Sequence, residues 1–207
     1  MITVFTDSSP NGFKVTIALE ELGLPYTLEQ INLHAGEQRQ SSFLAINPHG
    51  RIPVLRDEQT GVTLFESSAI LLYLAEKTGR LLPEALTARW EAIKWLQFHS
   101  ASMGPILGQR VHFELFAPTR LREAIDRYRS LSEEAFATLD RHLSSRVFLA
   151  GDSYSIADIA TFGWTHIAVI CGFGFEHHRH LTRWHDAVAR RPAVGRGVML
   201  PAPATEP

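Results

Sequence analysis

Three short stretches of the chain carry residues suited to chemistry. The first is Asp7-Ser8-Ser9-Pro10-Asn11-Gly12, turn-forming residues placed where a helix begins. A helix N-terminus carries about half a positive charge and several unpaired N–H groups. It favours an anion, a thiolate included, and Ser9 and Asn11 add side-chain donors at the same point. The same residues also suit a plain turn with an N-cap. The second stretch is Ile52-Pro53, at the start of an expected strand. A cis bond there offers the Ile52 backbone to an extended peptide, whereas a trans bond is an ordinary strand start. The third is Phe65-Glu66-Ser67-Ser68, at a strand end and a helix start. Ser67 can cap the helix, or can hold a ligand carboxylate together with the first-turn amides. Glu66 can hold a ligand ammonium. Taken together, the three stretches suit a short peptide with a thiol in its middle and a free amino acid at one end.

Composition removes other classes. The chain has 207 residues, 45% apolar and 20% charged, enough for one to two domains at roughly 150 residues each. Lys plus Arg is 20 and Asp plus Glu is 22, a net charge of −2. That balance argues against a nucleic-acid or anionic-membrane partner. The single cysteine, Cys171, excludes an intrachain disulfide and a CxxC site, and its apolar surroundings predict a buried structural thiol. The longest charge-free apolar stretches, near 69–75 and 167–171, fall far short of the ~18 residues of a spanning helix. The first residues lack a basic leader, so the expected compartment is the cytoplasm. No GxSxG, P-loop or GxGxxG motif is present.

The elements that position these residues follow from periodicity. Ile2–Phe5 reads as a strand. Val15, Ala18, Leu19 and Leu22 form a helical stripe with Lys14, Glu20 and Glu21 off it, and Gly23 closes that helix. Strands are expected over 26–33, 51–56 and 62–65, the last two forming a hairpin through Gln59-Thr60-Gly61. A short irregular or helical piece spans 41–46, and a helix apolar nearly all round spans 66–77. Long helices are expected over about 84–116, 118–143, 155–171 and 178–191, with a frayed tail over 201–207. Ser155-Ile156-Ala157-Asp158 is a capping box.

The element order, Asn47-Pro48-His49-Gly50-Arg51-Ile52-Pro53-Val54-Leu55 and Phe65-Glu66-Ser67 resemble the thioredoxin-like domain of cytosolic glutathione transferases. The Ser155–Asp158 box resembles that of their all-helical domain. Ser9-Pro10-Asn11-Gly12, Gln38, the 104–109 segment and Ala124-Ile125-Asp126-Arg127-Tyr128 are most similar to the bacterial nu class, which includes glutathione-dependent disulfide-bond reductases. Ser9 stands where that class has threonine, which keeps a hydroxyl; Ser8 and Ser9 also leave a serine-type reading open. The resemblance implies a thioredoxin-like βαβαββα domain (α/β) over 1–80, an all-α domain with a substrate pocket over 86–207, and a cytoplasmic homodimer. Glutathione is then the co-substrate, with no metal and no membrane partner. It implies that Ile52 before a cis Pro53 pairs with the cysteinyl backbone, and that Glu66 and Ser67 hold the γ-glutamyl end. Gln38 and Arg51 then lie near the glycyl end, Ser9 and Asn11 act at the sulfur, and Arg127 meets a second glutathione or substrate.

A free thiol near pKa 8.5 is a few per cent ionised at pH 7. Lowering it two units needs about 1.4 kcal/mol per unit. A hydrogen bond to a charged group supplies roughly 1.5–3 kcal/mol and a helix end roughly 0.3–1. Ser9 or Asn11 with the helix end therefore suffices without a protein cysteine. Three activities fit: glutathione-dependent disulfide reduction of a small thiol or disulfide partner, conjugation of glutathione to hydrophobic electrophiles as in detoxification, or glutathione binding without catalysis. His177, His178, His180 and His185 cluster in sequence, but no cysteine or carboxylate spacing supports a closed metal site. Arg120, Arg122, Arg127 and Arg129 alternate with acids and read as a solvated face. His112, Phe113, Phe116, Trp164 and Phe173 are candidate pocket or core residues.

Overall fold

The structure, a computed structural model, describes residues 1–201. The tail expected to fray lies outside the described residues except for Pro201, which is buried. The chain forms two compact units.

The first unit holds β1 (Ile2–Thr6), α1 (Pro10–Leu22), β2 (Tyr26–Gln30), a 3₁₀ turn (Glu37–Arg39), α2 (Ser41–Leu44), β3 (Val54–Asp57), β4 (Val62–Phe65) and α3 (Ser67–Thr78). The sheet order is β2-β1-β3-β4; β1 and β2 are parallel and the other pairs antiparallel. β1 buries Ile2, Val4 and Thr6 in the alternation of a strand. β2 stops at Gln30, short of Leu33, because side chains take over its backbone donors: Asp7 accepts the Leu33 N–H at 3.1 Å and Glu37 the Asn32 N–H at 2.7 Å. β3 starts at Val54, not Arg51, since Pro53 has no N–H for the ladder.

The domain limits expected from sequence need a correction. Of the described residues, the first unit holds 1–80 together with 190–201, and the second is Leu81–Ala189. The helix expected over 178–191 ends at Ala189, before Pro192. A further helix, α9 (Pro192–Gly197), then packs on α1. A Cβ on Gly197 would stand 2.6 Å from Ile17 Cα, so only glycine allows this approach. Thr16 donates to the Gly197 carbonyl at 2.7 Å, and Arg191 pairs with Glu21 at 2.6 and 2.9 Å. With α3 and α9 against it, α1 buries every residue from Gly12 to Leu19, Lys14 included.

The second unit is helical: α4 (Leu86–Phe98), α5 (Gly104–Val111), α6 (Arg122–Leu143), α7 (Ile156–Ile170) and α8 (Arg179–Ala189). The single helix expected over 84–116 is broken by π turns at His99–Met103 and His112–Phe116. Pro105 lacks an N–H and its ring crowds the preceding turn, and the Gly104 N–H reaches back to His99 O. Trp184, Phe136, Phe162, Leu96, Met103 and Leu107 fill the core. Cys171 at the end of α7 is half-buried rather than buried; burial nonetheless pushes its thiol up. Among the described residues no helix is long and apolar enough to cross a membrane.

Candidate functional site

Strand register brings the three stretches to one end of the sheet. Phe5 near the end of β1 pairs with Val54 at the start of β3, and Val54 pairs with Phe65 at the end of β4. Ser9–Asn11, Ile52–Pro53 and Glu66–Ser67 each follow or precede one of these residues and therefore share that end.

At the start of α1, Ser9 is extended and its Oγ accepts the Gly12 N–H at 3.0 Å. This is the capping role, and the serine still has its own proton to donate. Gly12 is required, because a Cβ there would run into Thr6 Oγ1 and the Asp7 carbonyl. Asn11 is half-buried and its Oδ1 accepts from Lys14 Nζ at 2.9 Å. The Ile52–Pro53 bond is cis. Ile52 is half-buried, and its backbone N–H and C=O have no hydrogen-bond partner among the described residues. Asn47 shapes the preceding loop, donating to the Arg51 carbonyl and accepting from the His49 N–H at 3.0 Å. Gly50 at φ 64 needs its freedom here, with the Gln38 carbonyl only 3.1 Å from where a Cβ would be. Gln38 thus lies beside this loop, and its buried Oε1 has no partner among the described residues. Arg51 is exposed.

Glu66, not Ser67, occupies the N-cap position of α3, at φ 70 and ψ 108, with no side-chain cap. A non-glycine residue there costs about 1–3 kcal/mol, and such residues concentrate at functional sites. Ser67 is buried and its Oγ accepts from Lys14 Nζ at 3.2 Å. The capping reading of Ser67 is therefore replaced. Lys14 joins the α1 start to the α3 start; burial lowers its pKa to about 7, against the pull of Glu66. The sequence reading missed this residue, because a lysine off the apolar stripe is ordinarily solvated. An unusually apolar α3 in its path is the one feature that hinted otherwise.

Arg127 belongs to the second unit. It is exposed on α6 and lines a cavity of about 550 Å³ with Gln109, Phe113, Arg120, Arg122 and Tyr128. Phe113 and Tyr128 stack there, with ring centroids 5.6 Å apart. Phe116 is exposed and Phe173 is buried core. Arg129 pairs with Glu114 at 2.5 Å and Arg122 loosely with Asp126 at 3.6 Å, so two of the four arginines of the basic stretch stand in ion pairs.

The histidines do not form one cluster. His185 is stacked on Phe162, and burial drops it to about 4. The His180 N–H donates to Asp140 at 2.7 Å. His177 and His178 do meet a carboxylate the spacing could not show, Glu133 on α6, at 2.8 and 2.6 Å. These three can bring ligand atoms within 4.8 Å of one another. Their mutual hydrogen bonds already account for the arrangement.

Residues 8–77 match the glutathione S-transferase N-terminal domain and residues 99–192 the C-terminal domain. The disulfide-bond oxidoreductase YfcG of Escherichia coli K12 is 36% identical over 204 residues, covering 96% of this chain and 95% of its own. The crystal structure of a glutathione transferase from Burkholderia graminis, with two glutathione molecules bound per subunit, is 37% identical. It superposes at a TM-score of 0.92 over 98% of this chain and 89% of that one. A glutathione transferase from Pseudomonas putida, with one glutathione disulfide bound per subunit, is 34% identical with a TM-score of 0.90 over 97% and 91%. With both domains matched and a relative of this identity covered nearly end to end, the chain belongs to the glutathione S-transferase family.

Proposed function

We propose that this enzyme reduces disulfide bonds with glutathione. One observation carries the reading: the α1 start, the Ile52–Pro53 backbone and the Glu66–Ser67 start share one sheet end, in a unit that contains no cysteine. The nucleophilic sulfur is therefore that of glutathione. Ser9 O–H, the Asn11 amide and the helix end stabilise its thiolate. Ile52 pairs with the cysteinyl backbone, Glu66 and Ser67 hold the γ-glutamyl ammonium and carboxylate, and Gln38 and Arg51 take the glycyl end. The thiolate attacks one sulfur of the substrate disulfide and expels the other as a thiolate, leaving a mixed disulfide. A second glutathione thiolate attacks the glutathione sulfur of that adduct. The products are glutathione disulfide and two substrate thiols. Arg127, in its basic groove, meets the carboxylates of the second glutathione or of the substrate. The similarity to a disulfide-bond oxidoreductase and to structures holding two glutathiones or glutathione disulfide supports this reading. Reductive chemistry suits the cytoplasm, and a homodimer is the expected assembly, to be read by light scattering.

The aromatic pair Phe113–Tyr128 in the groove favours a second reading, conjugation of glutathione to aryl electrophiles. Reduction of 2-hydroxyethyl disulfide and conjugation of an aryl halide, assayed on one preparation, decide between them. Disulfide turnover dominates under the first reading. Ser9→Ala and Asn11→Ala each lower it by about tenfold, the value of one charged hydrogen bond of about 1.4 kcal/mol. Wild-type rates in both variants would overturn the site assignment.

A further inference from the structure

Lys14 is 3% exposed, and its hydrogen-bond partners among the described residues are neutral: Asn11 Oδ1 at 2.9 Å and Ser67 Oγ at 3.2 Å. A buried ammonium costs several kcal/mol without compensation, so its place here needs a reason. An ammonium has three donors and no acceptor. The atom of Asn11 that faces it must be the amide oxygen, which turns the Nδ2 donors the other way. Ser67 must likewise give Lys14 an oxygen lone pair, which leaves the hydroxyl proton to point elsewhere. One buried cation thus makes donors of two residues at two helix starts. Under the glutathione reading above, those donors meet the thiolate and the γ-glutamyl carboxylate, both anions.

We propose that Lys14 is a positioning residue of the glutathione site: its ammonium holds Asn11 and Ser67 as donors toward the anionic groups of the ligand, and the bound anion holds the proton on Lys14. This inference rests on the glutathione reading. Burial lowers the Lys14 pKa to about 7 before any ligand binds. At pH 8 about nine-tenths of the amine is then neutral. A neutral amine has a lone pair and no longer dictates the orientation of its partners. The charged residues of the elements packed on α1 are Glu66, Glu76 and Lys77 at α3, and Arg191 and Arg196 at α9. Glu66 alone pulls on Lys14. Lys77 is paired with Asp57 at 2.8 Å, and Arg191 and Arg196 with Glu21 and Glu20 at 2.6 Å. On α1 itself, Glu20 and Glu21 are those partners. Glu66 makes no ion pair with Lys14 among the described residues, whereas Ser67 touches it. A carboxylate on Ser67 therefore lies nearer the amine than an ammonium on Glu66, and binding raises the Lys14 pKa.

The probe is S-methylglutathione, which has no thiol to titrate. Calorimetry at pH 8 in phosphate and in Tris reads the protons exchanged on binding. Wild type takes up several tenths of a proton per site, and its affinity falls about fivefold to tenfold between pH 6 and 8.5. Lys14→Met takes up only the part that the probe's own γ-glutamyl α-amine supplies on meeting Glu66, several tenths of a proton less than wild type, and its pH profile is correspondingly flatter. The chain has three lysines, Lys14, Lys77 and Lys94, so ¹³C-lysine NMR of the wild type follows Lys14 directly and needs no variant. Its signal titrates near 7 and moves to higher pH with S-methylglutathione. A Lys14 signal that does not shift on binding, or an uptake in Lys14→Met equal to that of the wild type, overturns the proposal and leaves the glutathione site standing. Failure of the wild type to bind S-methylglutathione overturns both.

Discussion

Two helix starts in this molecule use the same residue types to opposite ends. At α7, Ser155 caps the Ala157 N–H at 3.3 Å, and the Asp158 carboxylate accepts from Ser155 N–H and Leu149 N–H, both at 2.9 Å, and from Trp184 Nε1 at 2.8 Å. Burial pushes the Asp158 carboxyl up, while those donors pull it down. The Ser155 hydroxyl and the Asp158 carboxylate are both answered from within. At α3, Glu66 is exposed at positive φ with no side-chain cap, and Ser67 is answered by a buried lysine from another helix. The closed start serves stability. The open start carries backbone strain and has no side-chain cap of its own.

The comparison breaks most sharply at Asp158. Asp158→Ala strands three buried N–H donors, each worth about 1–3 kcal/mol. The expected loss is roughly 3–5 kcal/mol, or about 10 °C of Tm for a chain of this size. Glutathione affinity of the folded variant stays at the wild-type value. Scanning calorimetry and a binding isotherm test both halves, and a variant that kept its Tm would show that the capping box is not a structural keystone. Ser67→Ala reverses the pattern. It removes a donor from the proposed γ-glutamyl carboxylate, so glutathione Kd rises about tenfold, the fold-change for about 1.4 kcal/mol, while Tm falls by only a few degrees. Unchanged affinity in this variant would remove Ser67 from the site.

Much of this division was legible in the chain itself. The capping box at Ser155–Asp158 depends on residues three apart, and the β3–β4 hairpin on two short alternating runs around Gly61; both appear in the structure. The three ligand-suited stretches were recognisable because turn and helix-start chemistry is local. What stayed hidden depends on distant partners. Lys14 reads as solvated until Ser67, 53 residues away, is placed against it. Glu133 joins His177 and His178 from a different helix. α9 is six residues long, too short for periodicity to register, and its docking depends on the absence of a side chain at Gly197. The first π turn, His99–Met103, sits beside Pro105, a proline that read locally only starts a helix.

A further test concerns a second closed carboxylate, Asp57, at the opposite end of the sheet from the site, where it pairs with Ile2 and Val62. Burial alone would raise its pKa, but Lys77 at 2.8 Å, Tyr73 at 2.6 Å and the Gln59 N–H at 3.0 Å outweigh that and hold it at about 2. A carboxyl depressed in the folded state adds stability above its unfolded pKa of about 3.9, and that stability is lost as pH falls toward the folded value. Urea midpoints of the wild type should therefore decline between about pH 4 and 2. Asp57→Asn should start lower at pH 7 and decline less over that window, because the group that titrates is gone. Glutathione affinity at pH 7 should match the wild type, since a carboxylate already saturated by its own neighbours has nothing left to offer a ligand. Equal slopes in the two proteins would mean that Asp57 does not carry the acid sensitivity assigned to it.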